Sequence, residues 1–122
     1  MKAPTNQGTL FDPPMEAIYN ASELEGLKSS SKGLLVYFSS ESCSVCKVLR
    51  PKVLVMLYSD FPGMKARYVD IELSPMIAGQ LRVFTIPTLL LYFDGKEQHR
   101  FSRNISLNQL EEAIAKPYSL LF

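Results

Sequence analysis

Apolar positions fall into two spacings along this chain, and each change of spacing marks an element boundary. Leu34-Leu35-Val36-Tyr37-Phe38 is an unbroken apolar run between Gly33 and a serine cluster, the pattern of a central strand buried on both faces. After it, Val48, Leu49, Val53, Met56 and Leu57 follow helical spacing from Val45 until Phe61-Pro62-Gly63. Pro51 lies inside that helix, frees the Lys47 carbonyl from its usual bond and predicts a kink. Ala66 to Ile71 reads as a further strand, and Ser74-Pro75 supplies an N-cap with proline at the first helical position of a short helix toward Leu81. Leu89 to Phe93, Asp94-Gly95 and Lys96 to Phe101 read as a hairpin, since Asp-Gly suits a two-residue turn.

The flanks are read from capping signals. Ala17-Ile18-Tyr19 suits a short edge strand, and Ser22 with Glu25 forms a capping box for a helix through about Ser30. Ser106 with Gln109 forms a second box, opening a helix with Leu107, Leu110, Ala113 and Ile114 inward until Pro117. Tyr118 to Phe122 then forms an apolar tail expected to pack against its own chain. Residues 1–14, rich in Pro and ending in Asp12-Pro13-Pro14, read as a flexible tail or docking arm ahead of one domain over 15–122. The order βαβαβαββα predicts an α/β fold, a mixed sheet with helices on both faces.

Composition adds mainly exclusions. The 122 residues suit one domain with one core, and 47% apolar with 20% charged side chains is ordinary globular usage. Thirteen basic against twelve acidic residues leave a net charge of +1, so no field for nucleic acid or anionic lipid is expected. The amino terminus lacks the apolar stretch of a secretory signal, and no apolar run is long enough to span a bilayer. A cytoplasmic, reducing setting and a monomer are therefore expected, with no membrane partner. Glycine loops that cradle phosphates and dinucleotide fingerprints are absent, so no cofactor is expected.

The chemistry sits in Cys43-Ser44-Val45-Cys46, the only two cysteines. Residues three apart on a helical turn hold their Cβ atoms roughly 5–6 Å apart, within adjustment of disulfide geometry. Such a short loop stabilises little as a structural crosslink, so a pair that opens and closes is the stronger reading. Cys43 falls at the helix start, where unpaired N–H groups and the helix dipole favour a thiolate, making it the nucleophile. Cys46, one turn inward beside Leu49, Val53 and Met56, is the more buried, resolving thiol. Lys47 and Arg50 add positive charge nearby but read as solvated helix residues. Thr85-Ile86-Pro87-Thr88 places a proline at the start of an apolar strand, where a sheet tolerates one.

Taken together, the element order, the cysteine pair with Pro51 five residues beyond Cys46, Ile86-Pro87-Thr88 and Asp94-Gly95 resemble the thioredoxin family over about residues 15–116. The resemblance implies a thioredoxin-like fold, a cis Pro87 facing the cysteines and an Ile86 backbone that pairs with an extended client. Ser42, Thr85, Ile86, Pro87 and Arg103 become the candidate substrate-binding residues. Two departures stand out. Tyr37 and Tyr68 align with the family's buried aspartate and its partner lysine, which leaves water or Glu41, otherwise an exposed loop acid, to accept the Cys46 proton. Arg103 in Ser102-Arg103-Asn104 replaces a glycine that allows close client approach. A guanidinium there narrows the groove and lowers the Cys43 pKa, against the plainer reading of a solvated arginine.

The activity expected is thiol–disulfide exchange with a protein disulfide client, chiefly as a reductase, with electrons from a partner reductase or small thiol. A binding or assembly module that keeps the groove without redox turnover is the alternative. Metal binding is the third class, and His99 as the sole further soft ligand falls short of the four that a structural zinc site wants.

Overall fold

A computed structural model describes residues 15–122, so the amino-terminal tail lies outside the described residues. The nine elements are β1 (Glu16–Ala17), α1 (Ala21–Ser30), β2 (Gly33–Ser39), α2 (Ser44–Asp60), β3 (Lys65–Asp70), α3 (Pro75–Gln80), β4 (Thr88–Phe93), β5 (Lys96–Ser102) and α4 (Leu107–Leu121). They form one five-stranded sheet in the order β1-β3-β2-β4-β5. β3 is parallel to both β1 and β2, whereas β4 pairs antiparallel with β2 and β5.

Strand alternation divides the core in two. Leu35, Tyr37, Leu89, Leu91 and Phe93 point to one face and meet Val53 and Leu57 of α2 and Leu110 and Ile114 of α4. Leu34, Val36, Phe38, Leu90 and Tyr92 point to the other, against Leu24 of α1 and Ile77 and Ala78 of α3. Every residue of β2 and β4 is buried, as an unbroken apolar run requires. Asp94 and Gly95 both take positive φ, 55° and 82°, the pairing that a type I′ hairpin turn needs.

Three capping and boundary expectations change. The first strand ends at Ala17 because the next residues cap α1: Asn20 Oδ1 accepts the Glu23 N–H at 2.9 Å, and Glu23 Oε1 accepts the Tyr19 N–H at 2.9 Å. The capping box is thus Asn20 with Glu23, two residues ahead of Ser22 and Glu25. Asn caps as well as Ser, and Ser22 instead donates to Asn20 Oδ1. Before α3, Ser74 makes no side-chain cap, and Asp70 Oδ1 accepts the Glu72 and Leu73 N–H groups instead.

At the carboxyl end α4 does not stop at Pro117 but continues to Leu121. Tertiary contact offsets the bond proline removes. Tyr118 stands edge-on to Phe61 at 5.2 Å and stacks on Phe122 at 4.2 Å, and its hydroxyl accepts the Gly63 N–H at 2.9 Å. A Cβ at Gly63 would come within 2.6 Å of the Phe122 ring, so a larger residue there has to displace that ring. The apolar tail packs on its own chain, as expected. Helix α2 is continuous through Pro51.

Candidate active site

β2 carries the chain to the sheet end where α2 begins, and Cys43 occupies the N-cap of that helix. Its N–H donates to the Ser40 carbonyl and its carbonyl accepts the Lys47 N–H, both at 3.2 Å. The Cys46 N–H, one of the donors a helix start leaves without an intrahelical partner, points at Cys43 Sγ at 3.2 Å. The sulfurs of Cys43 and Cys46 are joined, with Cα atoms 5.3 Å apart. Cys43 is half-buried, whereas Cys46 is 2% exposed within the core of α2 and α4. One sulfur is reachable and the other shielded.

Behind Cys46, the Tyr37 hydroxyl donates to the Cys46 carbonyl at 2.8 Å. Burial pushes the Tyr37 pKa up to about 12 against the opposing pull of Arg50, so the phenol stays protonated and serves as a donor, not a base. Tyr68 is the register partner of Tyr37 on β3, and the Arg50 guanidinium lies over its ring at 5.3 Å. Cys46, Glu41, Arg50 and Asp70 line a small cavity of about 20 Å³, room for a single water. Sequence reasoning placed Glu41 near the thiols but missed Asp70, whose position at the end of β3 carried no signal without the sheet register.

The loop before β4 is tied from three sides. Thr88 Oγ1 donates to the Thr85 carbonyl at 2.7 Å, Arg100 Nη1 donates to the Leu81 and Arg82 carbonyls at 2.9 and 3.3 Å, and the Arg103 N–H donates to the Pro87 carbonyl at 2.9 Å. The Ile86–Pro87 peptide bond is cis. Ile86 packs against both halves of the core, and Cys43 packs against the half that holds Cys46. Ser42 is exposed, its hydroxyl 3.2 Å from that of Ser40. Arg103 thus joins Pro87 through its backbone, while Thr85 turns its carbonyl inward to Thr88. Phe84, 80% exposed beside Thr85, and Arg100 were not singled out from sequence.

On the other side of Arg103 an open groove of about 620 Å³ runs between α2 and the loop into α4, lined by Val45, Val48, Lys52, Arg103, Asn104 and Ile105 among others. His99 lies exposed on β5 beside Phe101, and among the described residues no three His, Cys, Asp or Glu side chains gather where a metal ion could be held. Among those residues, too, no helix is long and apolar enough to cross a membrane.

Comparison with known proteins agrees with this geometry. The family model named Thioredoxin matches residues 17–116. The thioredoxin-like protein YdfQ of Bacillus subtilis is 30% identical over 106 residues, covering 87% of this chain and 94% of the relative. A thioredoxin of Chlamydia trachomatis is 45% identical over 73 residues, 59% of this chain and 71% of that protein. Among solved structures, Fasciola hepatica thioredoxin superposes with a TM-score of 0.76 at 28% identity, covering 84% of this chain and 98% of its own. A mixed sheet flanked by helices, with a reachable cysteine and a shielded one joined at a helix start, places this chain in the thioredoxin family as a thiol–disulfide oxidoreductase.

Proposed function

We propose that the chain reduces disulfides in protein clients, with Cys43 as nucleophile and Cys46 as resolving thiol. The observation that carries the assignment of roles is the difference in access: Cys43 is half-buried at the helix N-cap and Cys46 is almost wholly enclosed. In the reduced protein the Cys43 thiolate, favoured by the helix N-terminus, attacks one sulfur of the client disulfide. A mixed disulfide forms, and the other client sulfur leaves as a thiolate that takes up a proton. Cys46 then loses its proton and attacks Cys43 Sγ, releasing the second client thiol and leaving Cys43–Cys46 oxidised. Two electrons pass to the client, and a dithiol reductase or small thiol restores the reduced pair.

With Tyr37 acting as a donor, the Cys46 proton leaves through the small cavity, where Glu41 and Asp70 are the carboxylates at hand. Client binding falls to Ser42, next to Cys43, and to Thr85, Ile86, Pro87 and Arg103 at the tied loop. A cytoplasmic, monomeric protein fits a chain whose two cysteines are both committed to the exchange pair.

The test is Cys46→Ser. Incubated with a disulfide-bonded protein substrate, this variant accumulates a mixed disulfide through Cys43, visible by mass and reversed by dithiothreitol. Absence of any mixed disulfide through Cys43 in this variant, together with wild-type protein that cannot reduce the same substrate, rejects the assignment. Equilibration of the wild-type pair with glutathione or dithiothreitol gives the direction, a low potential for a reductase and a high one for an oxidant.

A further inference from the structure

The groove beside the cysteines carries a charge pattern that the exchange chemistry itself does not use. Its walls come from the first turns of α2 and from the loop between β5 and α4. Val45 and Val48 are 60% and 59% exposed, an apolar strip continuous with Ser44 of the Cys43-to-Cys46 turn. Among the described residues, Lys52 and Arg103 are the two charged ones lining it, both exposed, and no acidic residue lines it. An open cleft with an apolar floor and cations from two separate walls favours a ligand that is apolar along its length and anionic at a point between them.

Arg103 also holds a backbone conformation with φ 64°, the left-handed region that L side chains occupy at a cost and that glycine occupies freely. The Arg103 N–H is spent on the Pro87 carbonyl, so the loop is registered by backbone alone. The side chain adds nothing to that hydrogen bond. What it adds is a guanidinium at the groove.

Resting on the oxidoreductase reading, we propose that this groove selects client segments in which an aliphatic residue and a carboxylate flank the target cysteine, the aliphatic side chain lying on Val45 and Val48 and the carboxylate facing Lys52 and Arg103. Arg103 and Lys52 are then specificity residues, and Cys43 and Cys46 carry the exchange for every client. Because both cations face solvent, the preference is moderate and salt-sensitive.

The experiment uses pre-reduced full-length protein in single turnover. Second-order rate constants are measured for peptide disulfides identical except for Glu, Gln or Lys two residues from the cysteine, each with a neighbouring leucine. Hydroxyethyl disulfide serves as a small neutral reference. The wild type is expected to favour Glu over Lys peptides about tenfold at low ionic strength, collapsing toward twofold in 0.5 M salt. Arg103→Gly keeps the backbone conformation and loses most of the preference, and the Lys52→Glu, Arg103→Glu double variant inverts it, each rate being taken relative to that variant's own rate on the neutral reference. Equal rates for Glu and Lys peptides in the wild type overturn the proposal, as does a Glu preference that survives the double reversal. If the wild type exchanges with the neutral reference yet shows no charge preference, only the selectivity fails. Should it exchange with no disulfide at all, the oxidoreductase reading falls and takes the selectivity with it.

Discussion

The two ends of the sheet treat apolar surface in opposite ways. Where the parallel strands begin, Gly33 and Gly63 leave room for Tyr118 and Phe122, and Phe61 and Met64 are sealed beneath them. Where β2 ends, Val45 and Val48 remain in water beside the cysteines, and Phe84 remains in water in the loop before β4. Both ends hold comparable side chains, but only the first has a helix end to cover them. The covered end contributes stability, and under the proposed function the open end is the surface a client buries, so substitutions at the two should separate stability from exchange.

The largest expected effect is at the open end. Cys43→Ser removes the sulfur proposed to attack and should lower disulfide reduction by about a thousandfold or more, while the reduced forms of variant and wild type melt alike; a rate assay and a melt under reducing conditions check both. The counterpart at the sealed end is Tyr118→Ala, which loses the Phe61 and Phe122 contacts and the bond from Gly63. A cost of about 3 kcal/mol in urea unfolding is expected with exchange rates of the folded protein preserved. Tyr118→Phe, which gives up only the hydrogen bond, should cost about 1 kcal/mol.

Alkaline pH tests the interior between the ends. Tyr37 and Tyr92 both have pKa values pushed up to about 12, by burial above all, with Glu97 adding to the effect at Tyr92. Each ring holds its proton in the folded state above pH 10, where the unfolded chain gives it up. Stability is therefore unaffected below pH 10 and falls between about pH 10 and 12, by up to about 1.4 kcal/mol per pH unit for each ring. Denaturant midpoints across that range check the slope, and Tyr37→Phe should flatten it. The smallest effect belongs to Glu41→Gln, expected to slow release of the mixed disulfide by tenfold or less near neutral pH. A pH–rate profile identical to wild type takes Glu41 out of the proton route and leaves Asp70.

The parts of the molecule legible in the chain are those decided by local pattern. The runs Leu34 to Phe38 and Leu89 to Phe93, the Asp94-Gly95 turn and the Cys43 helix start all rest on residues adjacent in sequence, and all stand where expected. What escaped depends on partners far away. Pro117 reads locally as a stop, yet Phe61 and Gly63, more than fifty residues earlier, hold the helix beyond it. Asn20 and Ser22 both suit a cap, and pairing of Ile18 with Tyr68 across the sheet accompanies the earlier frame. Asp70 lines the same small cavity as Cys46 only because β3 lies beside β2. In the same way the groove needed α2 and the β5–α4 loop to be brought together.

The placement of Phe122 has a practical consequence. β2 spans seven residues, about 23 Å at strand rise, and its far end carries the sulfurs. A dye or a bead linker attached after Phe122 would hang from the opposite pole of the molecule, close enough for energy transfer to a labelled peptide docked at Cys43 and too distant to obstruct it.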